Sequence, residues 1–233
     1  MMKRSGYNRH PLGPVLALVL AVVSALWLLL FAVNAIAYAY RRIGIGEREL
    51  FLLLWLSLLG GVINIPVARL RSPEVSAARE ISVFGVRYRV PIAPRPRETV
   101  VAVNLGGALI PAGLSVYLMA ADDIWWQAAV TIGVVAAVAH RLARPVHGLG
   151  IAVPALVPPL LAAAVALALS SRDTAATAYV GGSIGTLLGA DLLNLPRLRS
   201  LGVGVASIGG AGTFDGVFLS GIIAVILVGI SWR

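Results

Sequence analysis

From Leu12 to Tyr40 the chain runs for 29 residues without a charged side chain. A helix of that length rises about 43 Å, more than the ~30 Å hydrocarbon core of a bilayer. The run follows a basic segment, Met1 to His10. It is far too long for the apolar centre of a signal peptide and lacks a small-residue cleavage box, so it is expected to stay as a membrane span. Six further apolar runs follow. Together they predict seven transmembrane helices near residues 14–38, 50–68, 100–120, 124–142, 151–170, 175–195 and 214–231. The expected fold class is an all-α polytopic membrane protein, with one transmembrane domain over residues 1–233. Only 12% of the residues are charged, a share too small to give a soluble domain of this size an ordinary surface.

The net charge of +9 does not mark a nucleic-acid binder, because the basic residues lie between apolar runs instead of lining one face. They act as orientation signals. With seven spans, 14 of the 19 Lys and Arg residues fall on the side of the N-terminus and 5 on the other. Cytoplasmic loops hold such an excess, so the N-terminus is expected in the cytoplasm and the C-terminus outside, in the cell membrane. The sizeable loop, residues 69–98, alternates Ile81 and Val83 with Val86, Tyr88 and Val90 around Gly85. This pattern predicts a short cytoplasmic β-hairpin between spans 2 and 3. The lipid bilayer is the expected partner.

Polar and helix-breaking residues gather at the cytoplasmic ends of these spans. Asn64 and Pro66 close the second, Asn104 opens the third, and Pro154, Ala155, Leu156, Pro158 and Pro159 begin the fifth. Asp191 and Asn194 close the sixth, and Gly209, Gly210, Gly212 and Thr213 lead to Asp215. Irregular backbone persists at membrane depth only when it is buried in protein or lines a wet cavity. A polar cavity is therefore expected there, lined by Asn64, Asn104, Pro154, Ala155, Leu156, Asn194, Gly210, Gly212 and Thr213. Gly181, Gly182, Gly185 and Gly189 include spacings of four, which read as close helix packing.

Of the ten acidic residues, Asp191 and Asp215 interrupt apolar context. A carboxylate inside a span costs roughly 2.5–3.5 kcal/mol on insertion scales, which makes a bystander role a poor explanation. One ends an inward-running helix and the other starts the next outward-running helix, so both arrive at similar depth. Two carboxyls sharing a low-dielectric site cannot both ionise cheaply, and such a pair suits acid and base work on one water molecule. The same pair also suits binding and release of H⁺ or Na⁺. A structural use, with one Asp capping a helix and the other bonded to Asn64 or Asn104, stays open beside these. Cysteine is absent, and His140 and His147 lack the dense spacing of a metal centre, so neither a metal nor an organic cofactor is expected.

The blocks Pro145 to Pro154, Gly189 to Leu195 and Gly209 to Leu219 resemble a prokaryotic membrane family known as domain of unknown function 1614. That resemblance covers most of the chain after the first span and implies no activity. The entry to the seventh span, Gly212-Thr213-Phe214-Asp215, also resembles the Gly-x-Gly-Asp signature of presenilin-type intramembrane aspartyl proteases, and Pro154-Ala155-Leu156 resembles their Pro-Ala-Leu motif. Phe214 stands where that signature has its second glycine, Ala190 where a tyrosine precedes the first aspartate, and Pro154-Ala155-Leu156 comes before both aspartates instead of after them. What this resemblance implies is an intramembrane hydrolase with Asp191 and Asp215 catalytic and transmembrane peptides as substrates. The alternatives are a proton- or sodium-coupled transporter of a small solute using the same pair, and a lipid-handling or assembly protein without turnover.

Overall fold

The computed structural model describes residues 12–71, 78–83, 86–91, 98–146, 150–169, 172–198, 204–210 and 216–231. Contacts divide the chain into two units, Met1–Tyr38 and Ala39–Arg233. Helix α1 (Leu12–Arg42) carries the first unit and reaches into the second. Every side chain from 16 to 34 is exposed, and the helix is long and apolar enough to cross a membrane.

In the second unit, helix α2 (Glu47–Gly60) is followed by strand β1 (Asn64–Arg71), and strand β4 (Glu98–Asn104) precedes a π-helical turn, Leu105–Leu109, and α3 (Ile110–Ala121). Strands β2 (Ala78–Val83) and β3 (Val86–Pro91) form the expected hairpin, with Ile81 opposite Tyr88. Helix α4 (Trp125–Leu142) leads through the short strands β5 (Arg144–Val146) and β6 (Gly150–Ala152) to α5 (Val157–Leu169). Helix α6 (Thr174–Thr186) continues through a π turn, Leu187–Asp191, and a 3₁₀ turn, Leu192–Asn194, into α7 (Leu195–Leu198). Strand β7 (Val205–Ile208) and α8 (Gly216–Ser231) complete the order.

Three of the predicted spans are corrected at their ends. The second stops at Gly60, and residues 64–71 are strand. The third helix starts after Asn104, residues 98–104 being strand, and the fifth starts at Val157 after strand β6. Pro66 lacks an N–H and disfavours helix for the residue before it. Thr99, Val100, Val101 and Val103 are β-branched and pack well on a pleated surface. Apolar content alone does not separate such strands from helix. The shorter apolar helices at Leu105–Ala121, Val157–Leu169 and Gly216–Ser231 fall below the length that marks α1 as a span.

Strand β4 is central in a three-stranded sheet, antiparallel to β1 and parallel to β7. The β1–β4 register shifts between Pro66 and Ala68, where an edge strand tolerates a proline. Helix α6 is the core of the helical part and packs on α3, α4, α5 and α8. Small residues make this possible. A Cβ at Gly185 would lie 2.6 Å from Val135 Cβ, and one at Gly182 would lie 2.8 Å from the Ser220 carbonyl. One apolar cluster joins α4, α5, α6 and α8 through Val135, Ala162, Ala166, Ala178 and Ala224. A second, with Val101, Ala108, Leu187, Ile208 and Val217, seats the sheet against the Asp191 end of α6 and α8.

Candidate functional site

Asp191 closes the π turn that follows α6 and is half-buried. A π turn inserted in a helix re-aims the side chains after it and is frequent at functional sites. The N–H of Gly209, the residue after β7, donates to Asp191 Oδ2 at 2.7 Å. This bond ties the end of the sheet to the carboxylate. Gly209 and Gly210 both adopt left-handed backbone, with φ of 79° and 82°. At Gly209 a Cβ would also lie 2.6 Å from Ala108 Cβ, so conformation and space both require glycine.

Beside this contact sits an amide network. Asn104 is fully buried; its Nδ2 donates to Gly61 O at 2.7 Å and to Asn64 Oδ1 at 3.2 Å, and its Oδ1 accepts from Gly107 N at 2.7 Å. Ser207 Oγ lies in hydrogen-bond reach of Asn64 Oδ1 and Gly210 O. One asparagine thus links the end of α2, strand β1 and the π turn before α3.

A pocket of about 230 Å³ is lined by Pro154, Ala155, Thr186, Asp191, Gly216 and Val217, among others. Three of the residues expected to meet at the cytoplasmic end, Pro154, Ala155 and Asp191, therefore line one cavity. Leu156 does not join them, its side chain being 61% exposed. Asn64, Asn104 and Gly210 belong to the neighbouring network. Asn194 is buried and structural: Nδ2 donates to the Gly189 and Ala190 carbonyls, and Oδ1 accepts from Arg197 Nη1. Gly212, Thr213, Asp215 and His147 lie outside the described residues.

A second polar group runs through the bundle and was not anticipated. Tyr40, Tyr179 and Ser183 are fully buried, and their hydroxyls have no hydrogen-bond partner of standard geometry, although Tyr179 faces both the others. One turn further along α6, Thr186 Oγ1 donates to Gly182 O at 2.6 Å and lies 3.1 Å from Ser220 Oγ. Each hydroxyl buried without a partner costs about 1–3 kcal/mol. The spacing of Tyr179, Ser183 and Thr186, at i, i+4 and i+7, was visible in the sequence as one helix face. The Gly209 contact had no such signal, because it joins a side chain to a backbone N–H 18 residues away.

At the opposite end of α6, a pocket of about 360 Å³ is lined by Arg42, Asp122, Arg172, Asp173, Thr174 and Val228, among others. Burial raises the pKa of the Asp122 carboxyl from its ordinary value, and the neighbouring Asp173 pushes it the same way. Among the described residues no three His, Asp or Glu side chains converge as a metal site would need.

A family model described as protein of unknown function (DUF1614) matches residues 58–227. The chain belongs to this family. The DUF1614 match takes in the whole lining of the Asp191 pocket and Asp122, Arg172, Asp173 and Thr174 of the other pocket, and leaves α1 and Val228 outside. No curated protein and no solved structure matches the chain.

Proposed function

We propose that the chain is a multi-pass membrane hydrolase of the aspartyl type, in which Asp191 and Asp215 cleave peptide bonds of membrane-embedded substrates. Its N-terminus lies in the cytoplasm and its C-terminus outside. Membrane embedding is supported by the large apolar side chains exposed on the second unit, among them Phe51, Trp55, Tyr117, Trp126 and Leu160. Surfaces of that kind in water drive association. The distribution of Lys and Arg supports the orientation.

The observation that carries the catalytic reading is the convergence of Asp191, Pro154, Ala155 and Gly216 on one pocket, with Asp215 a single peptide bond before Gly216. The cavity falls below the roughly 300–1,000 Å³ of pockets that engulf a small molecule, but it has room for several waters and a stretch of backbone. Strand β7 is an edge of its sheet, and the residue after it bonds Asp191. An extended substrate adding to that edge would bring its backbone to the carboxylates. In the reaction, one carboxylate takes a proton from water as the water oxygen bonds to the scissile carbonyl carbon, and the other carboxyl protonates the carbonyl oxygen. Collapse of the diol breaks the C–N bond as one hydroxyl returns its proton to the second carboxylate, and the proton taken from water passes to the leaving amine.

Purified full-length protein in detergent is expected to cleave a transmembrane peptide. Asp191→Asn and Asp215→Asn should each lower the rate by about 10²–10⁴-fold while leaving thermal unfolding cooperative. Undiminished cleavage in either variant would overturn the mechanism. Because the chain has no cysteine, Ser82→Cys and Ser231→Cys report topology directly with an impermeant maleimide. They should label from opposite sides of the membrane, and labelling from one side would remove the seven-span reading. The buried hydroxyls favour a second reading, ion-coupled transport through the same carboxylates. Asp191-dependent solute uptake by vesicles, without peptide cleavage, would put it first.

A further inference from the structure

The pocket at Asp191 and the pocket at Asp122 and Asp173 lie at opposite ends of the same helix pair. The first touches Thr186 and Asp191 of the α6 run and Gly216 of α8; the second touches Thr174 of α6 and Val228 of α8. From Thr174 to Asp191 a helix rises about 25 Å, close to the thickness of a bilayer core. Between them stand the hydroxyls of Tyr40, Tyr179, Ser183, Thr186 and Ser220. We propose that these five side chains form a proton-conducting line through the bundle, joining the Asp122–Asp173 pocket to the Asp191 pocket.

Their position makes packing an insufficient explanation. Phenylalanine would fill the space of Tyr40 or Tyr179, and alanine that of Ser183, without a buried polar oxygen. Much of the neighbouring interior of α6 is built in that way, from Ala176, Ala178, Val180, Gly181 and Gly182, all buried; Thr177 is a further buried hydroxyl, outside the row. A hydroxyl both donates and accepts, so a row of them passes a proton by accepting one on each oxygen and releasing the hydrogen it already held. No bond other than O–H changes, and no oxidant or reductant is needed. Tyr179 stands between Tyr40 and Ser183, and Gly221 gives Ser183 Oγ its room on the α8 side. Thr186 and Ser220 continue the row one turn on, a gap of the size that one water would span. Thr186 then opens on the same cavity as Asp191. At the other end, Tyr40 is followed two residues later by Arg42, which lines the pocket of Asp122, Arg172 and Asp173. The hydroxyls run along the helix and do not converge on a point, which suits a relay and not the enclosed oxygen cage that a metal cation needs.

This proposal rests on the membrane reading of the second unit and not on peptide hydrolysis, so the two are measured separately. Full-length protein is reconstituted in phosphatidylcholine–phosphatidylglycerol vesicles holding a pH-sensitive dye, and a valinomycin-set potassium potential, negative inside, drives protons inward. The wild type should acidify the lumen faster than empty vesicles, with sodium replaced by N-methylglucamine. Tyr179→Phe and Ser183→Ala should each slow acidification about tenfold or more, because each removes from the row an oxygen that both accepts and donates. Each variant is kept only if its circular dichroism melt matches the wild type, and Thr186→Val serves where one does not. Thr177→Val, four residues before the glycine that meets Thr131 of α4, should leave the rate unchanged. Acidification equal to empty vesicles, an unchanged rate in folded Tyr179→Phe and Ser183→Ala, or an equal loss in Thr177→Val would each overturn the line. Peptide cleavage measured on the same preparations in detergent is unaffected by any of these results.

Discussion

Asn104 ties together segments 43 residues apart in the chain. Its amide group satisfies Gly61 O, Asn64 Oδ1 and Gly107 N from a fully buried position. Asn104→Ala takes a partner from each of those groups, Asn64 Oδ1 keeping Ser207, and should lower unfolding free energy by about 1–3 kcal/mol, read by thermal or denaturant unfolding in detergent. An unchanged midpoint would show that water replaces the amide. The sequence marked Asn64 and Asn104 as polar residues lining a cavity; the structure instead buries Asn104 in a hydrogen-bond network, as a buried amide demands, and leaves Asn64 exposed as one of its partners. The sequence did not reveal that the two face each other across paired strands, since register depends on chain segments 40 residues apart. Asp191 and the Pro154–Ala155 pair were legible as breaks in apolar runs. Leu156 was carried along by its neighbours, and its exposure follows from the turn that starts α5.

At the scale of elements, the glycines of α6 read correctly as packing residues, because a spacing of four keeps them on one helix face. Gly181 and Gly185 meet Thr131 and Val135 of α4, and Gly182 meets Ser220 of α8. Gly185→Val inserts two methyl groups where a single Cβ already collides with Val135. It should destabilise by about 1–3 kcal/mol, and Val135→Ala should restore part of the loss in the double variant. Additive losses would mean that the helices separate elsewhere. The strands β1, β4 and β7 were the elements least visible beforehand. Their apolar residues continue the runs of the adjoining helices, so hydropathy sees one segment where the backbone makes two. Pro66 and the β-branched run Thr99 to Val101 held the discriminating information. The hairpin of β2 and β3 was legible because its alternation has a period of two and stands apart from any helix.

For the molecule as a whole, Asp122, at the end of α3, makes stability depend on pH. Asp122 binds its proton more tightly in the folded chain than in the unfolded one, through burial and the repulsion of Asp173. Such a group favours the fold at low pH, and that contribution is lost as pH rises through the ordinary carboxylate range to the raised value. Melting temperature followed upward from about pH 3, below the ordinary aspartate value, should therefore contain a downward component that Asp122→Asn removes. A steeper decline in the variant would reverse the sign assigned here. The parallel pairing of β4 with β7 has a consequence for biogenesis. About 100 residues separate the two strands, which at 5–20 residues per second is roughly 5–20 s of translation. Throughout that interval the ribosome has delivered β4 with one flank of its backbone still open, and a nascent chain with an open strand flank at the bilayer calls for an insertase or chaperone to shield it until β7 emerges.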